Sequence, residues 1–282
     1  EPDAVPGFTA VDERSHRIAE HVVCFLLQEM HAGRIPREFL PLQAGVGNVA
    51  NGVMAALGSN SEIPPFAMYT EVFQDSLVEL MERGKLTAAS TTALTLTPES
   101  LQRVYDNMDF YVPRVVLRPQ EISNHSGIVL RLGVIAMNTA IEVDIYGNVN
   151  SSHLLGMDVI NGIGGSGEFT RNSYLSVFMT PSIGKGGRIS KVVPMCPHID
   201  NNEHSVQIIV TEQGLADLRG LFWQRPFLAA VLTLSVALFV RLAEGASGGI
   251  DQPVKLDVNF KVPVNELMRN QQILQPLLRK LK

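Results

Sequence analysis

Short apolar runs alternate with amphipathic stretches along the first half of the chain, and this alternation restricts the fold more than any other feature. Ile18, Val22, Phe25, Leu26 and Met30 recur at helical spacing, which predicts a helix from about Asp12 to His31, closed by Gly33 and Pro36. Leu40 to Ala44 reads as a strand, Val49 to Leu57 as a helix, Phe66 to Phe73 as a strand and Asp75 to Arg83 as a helix ended by Gly84. Leu86 to Ala89 is again a strand, Leu101 to Asp106 a short helix, and Val115 to Arg118 a strand. Ser123 caps a helix through Leu132, and Gly133 to Met137 and Ile141 to Tyr146 are strands. Strands joined by helices pair in parallel, and a parallel sheet needs cover on both faces. The expected class is α/β, mostly parallel, with a β-rich second half: Tyr174 to Met179, Ile189 to Met195 and Val206 to Thr211. A helix is expected to start at Leu215 and run to Leu221.

Composition narrows the partners. The 282 residues are 45% hydrophobic and 18% charged, enough for one large domain or two small ones. With net charge −5 and no dense basic stretch, no nucleic-acid partner is expected, although a few local Lys and Arg suffice for a small anion. Cys24 and Cys196 lie far apart without metal-ligand spacing, and Cys24 is assigned to the apolar face of the first helix. Both are expected as free thiols, which fits an intracellular compartment. Glu1 to Ala10, with Pro2 and Pro6 and no signal peptide, reads as a linker from a further domain. Pro226 to Val240 is a nearly unbroken apolar run, shorter than the ~20 residues of a membrane span. It reads as a buried helix; a membrane segment and sequence foreign to the native fold are the alternatives. Gly245 to Gly249 is a flexible break, and Glu266 to Lys282 a helix with a basic end.

Glu71 stands where the Phe66–Phe73 run gives way to a helix. A carboxylate at a buried strand end is costly unless something uses it. Such ends are where α/β proteins meet ligands; a satisfied structural acid is the alternative. Two Gly-rich turns, Gly45-Val46-Gly47-Asn48 and Gly162 to Gly167, each stand near the end of a predicted strand and expose N–H groups suited to an oxyanion or phosphate. With one reactive carboxylate, these are the parts of acyl transfer. Other motifs are set aside. Gly162 to Gly167 satisfies G-x-G-x-x-G, but Gly187 and Arg188 stand where a nicotinamide site needs an acid. Gly184-Lys185-Gly186-Gly187 is no P-loop, and Gly-Gly-Ser-Gly-Glu around Ser166 lacks the nucleophile-elbow order. His198, Asp200, Glu203 and His204 lack zincin spacing and read as a polar turn, so no metal is expected.

The motifs together resemble the C-terminal half of the acetyl-CoA hydrolase/transferase family, which includes succinyl-CoA:acetate CoA-transferases and fungal mitochondrial acetyl-CoA hydrolases. The matching strings are Leu42 to Asn51, Tyr69 to Asp75, Arg131 to Thr139, Glu142 to Gly147 and Asn161 to Phe169. Val193 to Met195, His198 to His204 and Val210 to Gly220 continue them in family order. The resemblance covers about Ala19 to Gly220. It implies a linker at 1–10, a catalytic domain at 11–220 and an atypical tail at 221–282, with a preceding domain of similar size.

The resemblance also implies an open α/β/α sandwich of the CoA-transferase, sugar-phosphate isomerase-like type, and a mechanism. Glu71 is the nucleophile: it attacks an acyl-CoA thioester, giving an acyl-glutamyl anhydride and CoA thiolate. The thiolate then forms a glutamyl-CoA thioester, which an incoming carboxylate such as acetate reverses. Water in its place gives hydrolysis; an inactive truncated half is a further alternative. By the same resemblance Gly165 donates its N–H to the oxyanion, and Asn124 reaches the reacting carboxylate. Glu212 is a second active-site carboxylate. Val46, Gly47, Asn48 and Gly164 line the site, and Lys185 meets a CoA phosphate or the substrate carboxylate. No cofactor is implied, since CoA is a substrate. The implied partners are acyl-CoA, small carboxylates and, at full length, a second copy in a homodimer, with no membrane span. The implied location is mitochondrial in a eukaryote and cytoplasmic in a bacterium.

Overall fold

The computed structural model describes residues 12–219. The linker at 1–10, the apolar run Pro226 to Val240 and the rest of the tail lie outside the described residues. An eight-stranded sheet organises what is described: β1 (Leu42–Ala44), β2 (Phe66–Tyr69), β3 (Leu86–Thr91), β4 (Val115–Leu117), β5 (Ile135–Thr139), β6 (Leu175–Met179), β7 (Ile208–Thr211) and β8 (Gly214–Asp217). Their order is β8-β7-β6-β5-β1-β2-β3-β4, all neighbours parallel except β7 and β8. The chain builds β1 to β4 towards one edge, returns beside β1 with β5, and then builds towards the other edge. The order therefore reverses between β1 and β5, which is where open α/β sheets bind ligands beyond their strand ends.

Period-two alternation divides the strand residues between the two faces of the sheet. Ile135, Met137, Leu175, Val177 and Met179 join the core under α1 (Glu13–His31), α2 (Asn48–Ser59) and α3 (Asp75–Glu82). Ala136 faces the opposite side with Tyr69, Val129, Val134 and Phe169, and Phe178 turns to a third cluster with Val143, Val149, Val206 and Ile209. This is the expected α/β fold, mostly parallel and covered on both faces.

Local expectations change in several places, one of them at Ser123, which ends a short helix, Gln120–Ser123, while His125 caps Ser126–Leu132. The Phe66–Phe73 run breaks at Thr70 and Glu71: Val72–Gln74 leaves the main sheet and pairs with Ala93–Thr95. No helix begins at Leu215, because Gly214–Asp217 turns back on β7 as its antiparallel edge; the end of the expected helix, at Leu221, lies outside the described residues. Leu and Ala favour helix locally, but the tight turn at Glu212 and Gln213 and the open edge of β7 override that preference. Cys24 is exposed, one position off the stripe formed by Val22, Val23, Phe25 and Leu26, while Cys196 is buried. Burial, with Asp144 and Glu142 nearby, pushes the Cys196 thiol up to about 12.

One polar knot fastens α1 to the β8 edge. Glu29, its side chain only 3% exposed, accepts from Arg34 Nε at 2.9 Å and Nη2 at 2.7 Å, and from Arg219 Nη1 at 2.8 Å. Hydrogen bonding to Arg34, and more weakly to Arg219, outweighs burial and holds the Glu29 carboxyl at about 2. A depressed acid stabilises the fold fully above its unfolded value, 4.5, and loses that contribution as pH falls towards 2. Glu29→Gln is expected to lower the unfolding free energy at pH 7 by about 3 kcal/mol. In urea titrations the gap from wild type should narrow between pH 4.5 and 2. A gap independent of pH would contradict this account.

Candidate active site

The tip of β2 assembles the site, and each residue after it has a separate task. Tyr69 packs its ring against Phe169 at 6.3 Å and donates its hydroxyl to the Ile122 carbonyl, which brings the Ser123-Asn124 corner alongside. Thr70 donates to the Ala44 carbonyl at the end of β1. The Glu71 carbonyl accepts from Thr92 N–H at 2.9 Å, Ala93 N–H at 3.2 Å and Thr91 Oγ1 at 2.9 Å, so the backbone at this break is pinned. Gln74 donates Nε2 to the Gly45 carbonyl at 3.1 Å, tying in the first glycine turn. Asp75 accepts from Thr97 Oγ1 at 2.7 Å and closes the far side.

The half-buried Glu71 side chain reaches across the sheet end to Gly165, whose N–H donates to Oε2 at 2.7 Å over a separation of 94 residues. Gly165 caps α6 (Ser166–Asn172), a helix that follows α4 (Pro98–Asp106) and α5 (Ser126–Leu132) in the chain. Its lack of a side chain is required: a Cβ there would stand 2.6 Å from Glu71 Oε2 and 2.7 Å from Asn124 Nδ2. Glu71 and Asn124 thus both close on Gly165, and its N–H goes to Glu71. Among the described residues, five buried side-chain polar atoms lack a hydrogen-bond partner, and all lie on segments around Glu71: Gln74 Oε1, Thr92 Oγ1, Ser123 Oγ, Asn124 Oδ1 and Thr170 Oγ1. Buried polar atoms without a protein partner are the ones that an ordered water or a ligand can satisfy.

Where the strand order reverses, an open cavity of about 320 Å³ is lined by Val46, Gly47, Asn48, Thr139 and Lys191, among others. Gly47 takes φ 118° to turn β1 into α2, a conformation other residues rarely adopt. No sequence motif marks Lys191. Burial lowers its ammonium pKa, with Glu212 opposing.

Residues 101–229 match the sequence model of the acetyl-CoA hydrolase/transferase C-terminal domain. Propanoyl-CoA:succinate CoA transferase of Escherichia coli (strain K12) is 60% identical over 220 residues, 78% of this chain and 45% of that protein. The chain belongs to the acetyl-CoA hydrolase/transferase family. An acetyl-CoA hydrolase of Candida albicans (strain SC5314 / ATCC MYA-2876) is 46% identical over 224 residues, 78% of this chain and 42% of that protein. The chain spans under half the length of these curated relatives. RipA from Yersinia pestis shares the fold, with a TM-score of 0.66 at 23% identity over 85% of this chain and 56% of that one.

Within this family frame the structure draws some of the expected residues together and holds others apart. Glu71, Asn124, Gly164 and Gly165 converge: a Cβ on Gly164 would lie 3.5 Å from Glu71 Oε2. Val46, Gly47 and Asn48 line the neighbouring cavity. Glu212 follows β7, four strands from β2, or roughly 19 Å along the sheet at ~4.8 Å per strand. Its carboxylate accepts from Ser182 N–H at 2.7 Å and from the Ser182 hydroxyl at 2.5 Å. Lys185 is exposed in a turn of 3₁₀ helix, Lys185–Gly187, with φ 45°. His153, overlooked in the sequence, joins His198 and Asp200, and their ligating atoms lie within 4.8 Å of one another. The two rings overlap at 3.7 Å between centroids, tilted by 32°. A cation bonded to both would sit in both ring planes about 2.0–2.1 Å from each nitrogen, so the rings would have to splay first.

Proposed function

We propose that this chain supplies the catalytic half of a CoA-transferase that moves CoA from an acyl-CoA, succinyl-CoA or acetyl-CoA, to a small carboxylate such as acetate. The observation that supports it most is the 2.7 Å bond between the Gly165 N–H and Glu71 Oε2. In the proposed course the other oxygen of Glu71 attacks the thioester carbon, and the C–S bond breaks to release CoA thiolate. The thiolate attacks Cδ of the resulting anhydride, and the original acyl group leaves as a carboxylate. During that attack Oε2 becomes the oxyanion, which the Gly165 N–H already faces. Asn124 Nδ2, which crowds the same Cβ position on Gly165, is the second donor in this reading. The glutamyl-CoA thioester then passes CoA to the incoming carboxylate by the same two steps reversed.

Hydrolysis is the second reading, favoured by the Candida albicans relative's name, with water meeting the thioester in place of acetate. The reading further takes CoA as substrate, uses no cofactor, pairs the full-length protein as a homodimer, and places it in mitochondria of a eukaryote or the cytoplasm of a bacterium. No helix among the described residues is long and apolar enough to cross a membrane.

Borohydride added to the full-length protein with acyl-CoA should reduce a thioester at Glu71 to the alcohol, visible in the mass of its peptide. An unmodified Glu71 peptide alongside active turnover would rule the covalent route out. Loss of acetyl-CoA with and without succinate separates transfer from hydrolysis.

A further inference from the structure

We infer that Asp200 is a positioning residue: it clamps the stem of the glycine loop and so sets where the Gly165 N–H meets Glu71. Its carboxylate, with the side chain 6% exposed, accepts from Ser151 N–H at 2.7 Å and from Ser152 Oγ at 2.7 and 2.8 Å. The Ser152 carbonyl in turn accepts from the N–H groups of Ile160 and Asn161 at 2.9 and 3.3 Å, and the Ser151 carbonyl from Asn161 Nδ2 at 3.4 Å. Gly162 follows directly. On the far side of Gly165, Ser166 Oγ accepts from Asn201 Nδ2 at 3.5 Å. Two consecutive residues therefore hold the chain on both sides of the loop. They are fixed themselves: the N–H groups of Asp200 and Asn201 both go to the carbonyl of the fully buried Val149, at 2.9 and 3.1 Å.

Phe169 anchors the helix after the loop, but on the hairpin side apolar packing does not do this job. The hairpin leading into the loop leaves Met157 77% and Val159 69% exposed, and Asn161 to Gly164 are exposed. Short hydrogen bonds to a desolvated carboxylate are strong and directional, which suits them to place a loop that has no core beneath it. The His153 and His198 rings sit against the same group, His153 Nδ1 at 2.7 Å from Ser152 Oγ and His198 Nε2 at 3.1 Å from Asp200 Oδ1. A donor displaced by about 1 Å from a reacting carboxylate forfeits on the order of a hundredfold in rate.

Hydrogen exchange read by mass spectrometry, on the full-length protein, tests the clamp without any reaction. Asp200→Ala is expected to speed exchange at least tenfold in peptides spanning residues 160–166, with peptides from β3 and β6 unchanged. Asp200→Asn, which keeps an oxygen for Ser151, should restore protection. Ser152→Ala, which removes the hydroxyl's bonds to Asp200 and His153 but leaves the Ser151 N–H bond in place, should give an intermediate effect and serves if Asp200→Ala does not fold. Uniform acceleration throughout the chain, or none in 160–166, would overturn the inference. The kinetic arm rests on the proposed CoA transfer: kcat should fall at least tenfold in Asp200→Ala with KM for acyl-CoA within twofold, and recover in Asp200→Asn. A rise in KM with kcat unchanged counts against positioning. If wild type and Glu71→Gln are equally inactive, the proposed reaction fails while the exchange result still decides the clamp.

Discussion

Glu71→Gln is expected to abolish transfer of CoA between succinyl-CoA and acetate in the full-length protein, by at least about 10⁴-fold in kcat. The substitution is nearly isosteric. The amide oxygen can still accept from Gly165, and the backbone bonds to Thr92 and Ala93 do not involve the side chain. Stability should therefore stay within about 0.5–1 kcal/mol of wild type. An amide lacks the anionic oxygen that must attack the thioester, so the loss belongs to chemistry and not to folding. A melting temperature close to wild type, together with absent turnover and no trapped thioester, is the expected pattern. Turnover at a tenth of the wild-type rate or more would exclude Glu71 as the nucleophile.

Gly165→Ala is expected to be the next most damaging change, by 10²–10³-fold in kcat, an order typical of losing one oxyanion donor. The backbone at Gly165, φ −79° and ψ 2°, accepts alanine, so strain in the chain is not the cause. Crowding is. The added methyl would meet Glu71 Oε2 at 2.6 Å and Asn124 Nδ2 at 2.7 Å, and both must withdraw to reach ordinary contact. Withdrawal of Glu71 stretches the 2.7 Å bond that the proposed oxyanion depends on. Overpacking of this kind should cost about 1–3 kcal/mol of stability. Asn124→Gly placed in the same chain removes one of the two clashes and should recover part of the stability but little of the rate. A Gly165→Ala protein with kcat within threefold of wild type would mean that this N–H does not serve the reacting group.

The elements most legible in the sequence are those whose pattern is local. Helix α1 could be drawn from its apolar stripe because its Asp12 cap, accepting from Ser15 N–H at 2.9 Å, and its buried face lie within one stretch of chain. Strands β5 and β6 could be drawn because a central parallel strand is buried on both faces and becomes a continuous apolar run. Edge structure was less legible. Gly214–Asp217 has helix-favouring residues, and only the unpaired side of β7 makes it a strand. Cys24 went to the wrong side of its helix because one residue of helical phase, 100°, separates stripe from solvent.

For the site, chemistry types were readable from the residues themselves, whereas proximity entered only through the family resemblance, which sets Gly165 and Asn124 beside Glu71. A Thr-Glu-Val-Phe-Gln-Asp string after an apolar run, and two glycine turns, announce a carboxylate and exposed N–H groups. That Glu71 meets the second of these turns, that Asn124 comes alongside through the Tyr69 hydroxyl, and that Glu212 ends four strands away are matters of strand order. The same holds for His153, whose partners His198 and Asp200 lie more than forty positions on.

By itself, then, the sequence determined the class of fold, the strand ends on which reactive groups stand, and the candidate nucleophile. Periodicity and turn residues act over a few neighbours and are written in order along the chain. Which of those strand ends adjoin, and so which N–H faces Glu71, is a property of the tertiary structure, which the family resemblance anticipates at Gly165 and no local pattern does. Residues 71 and 165 come within 2.7 Å only because the chain builds one half of the sheet, returns past its first strand, and ends both segments on the same edge. Contacts of that kind depend on the global path of the chain, which no local pattern encodes.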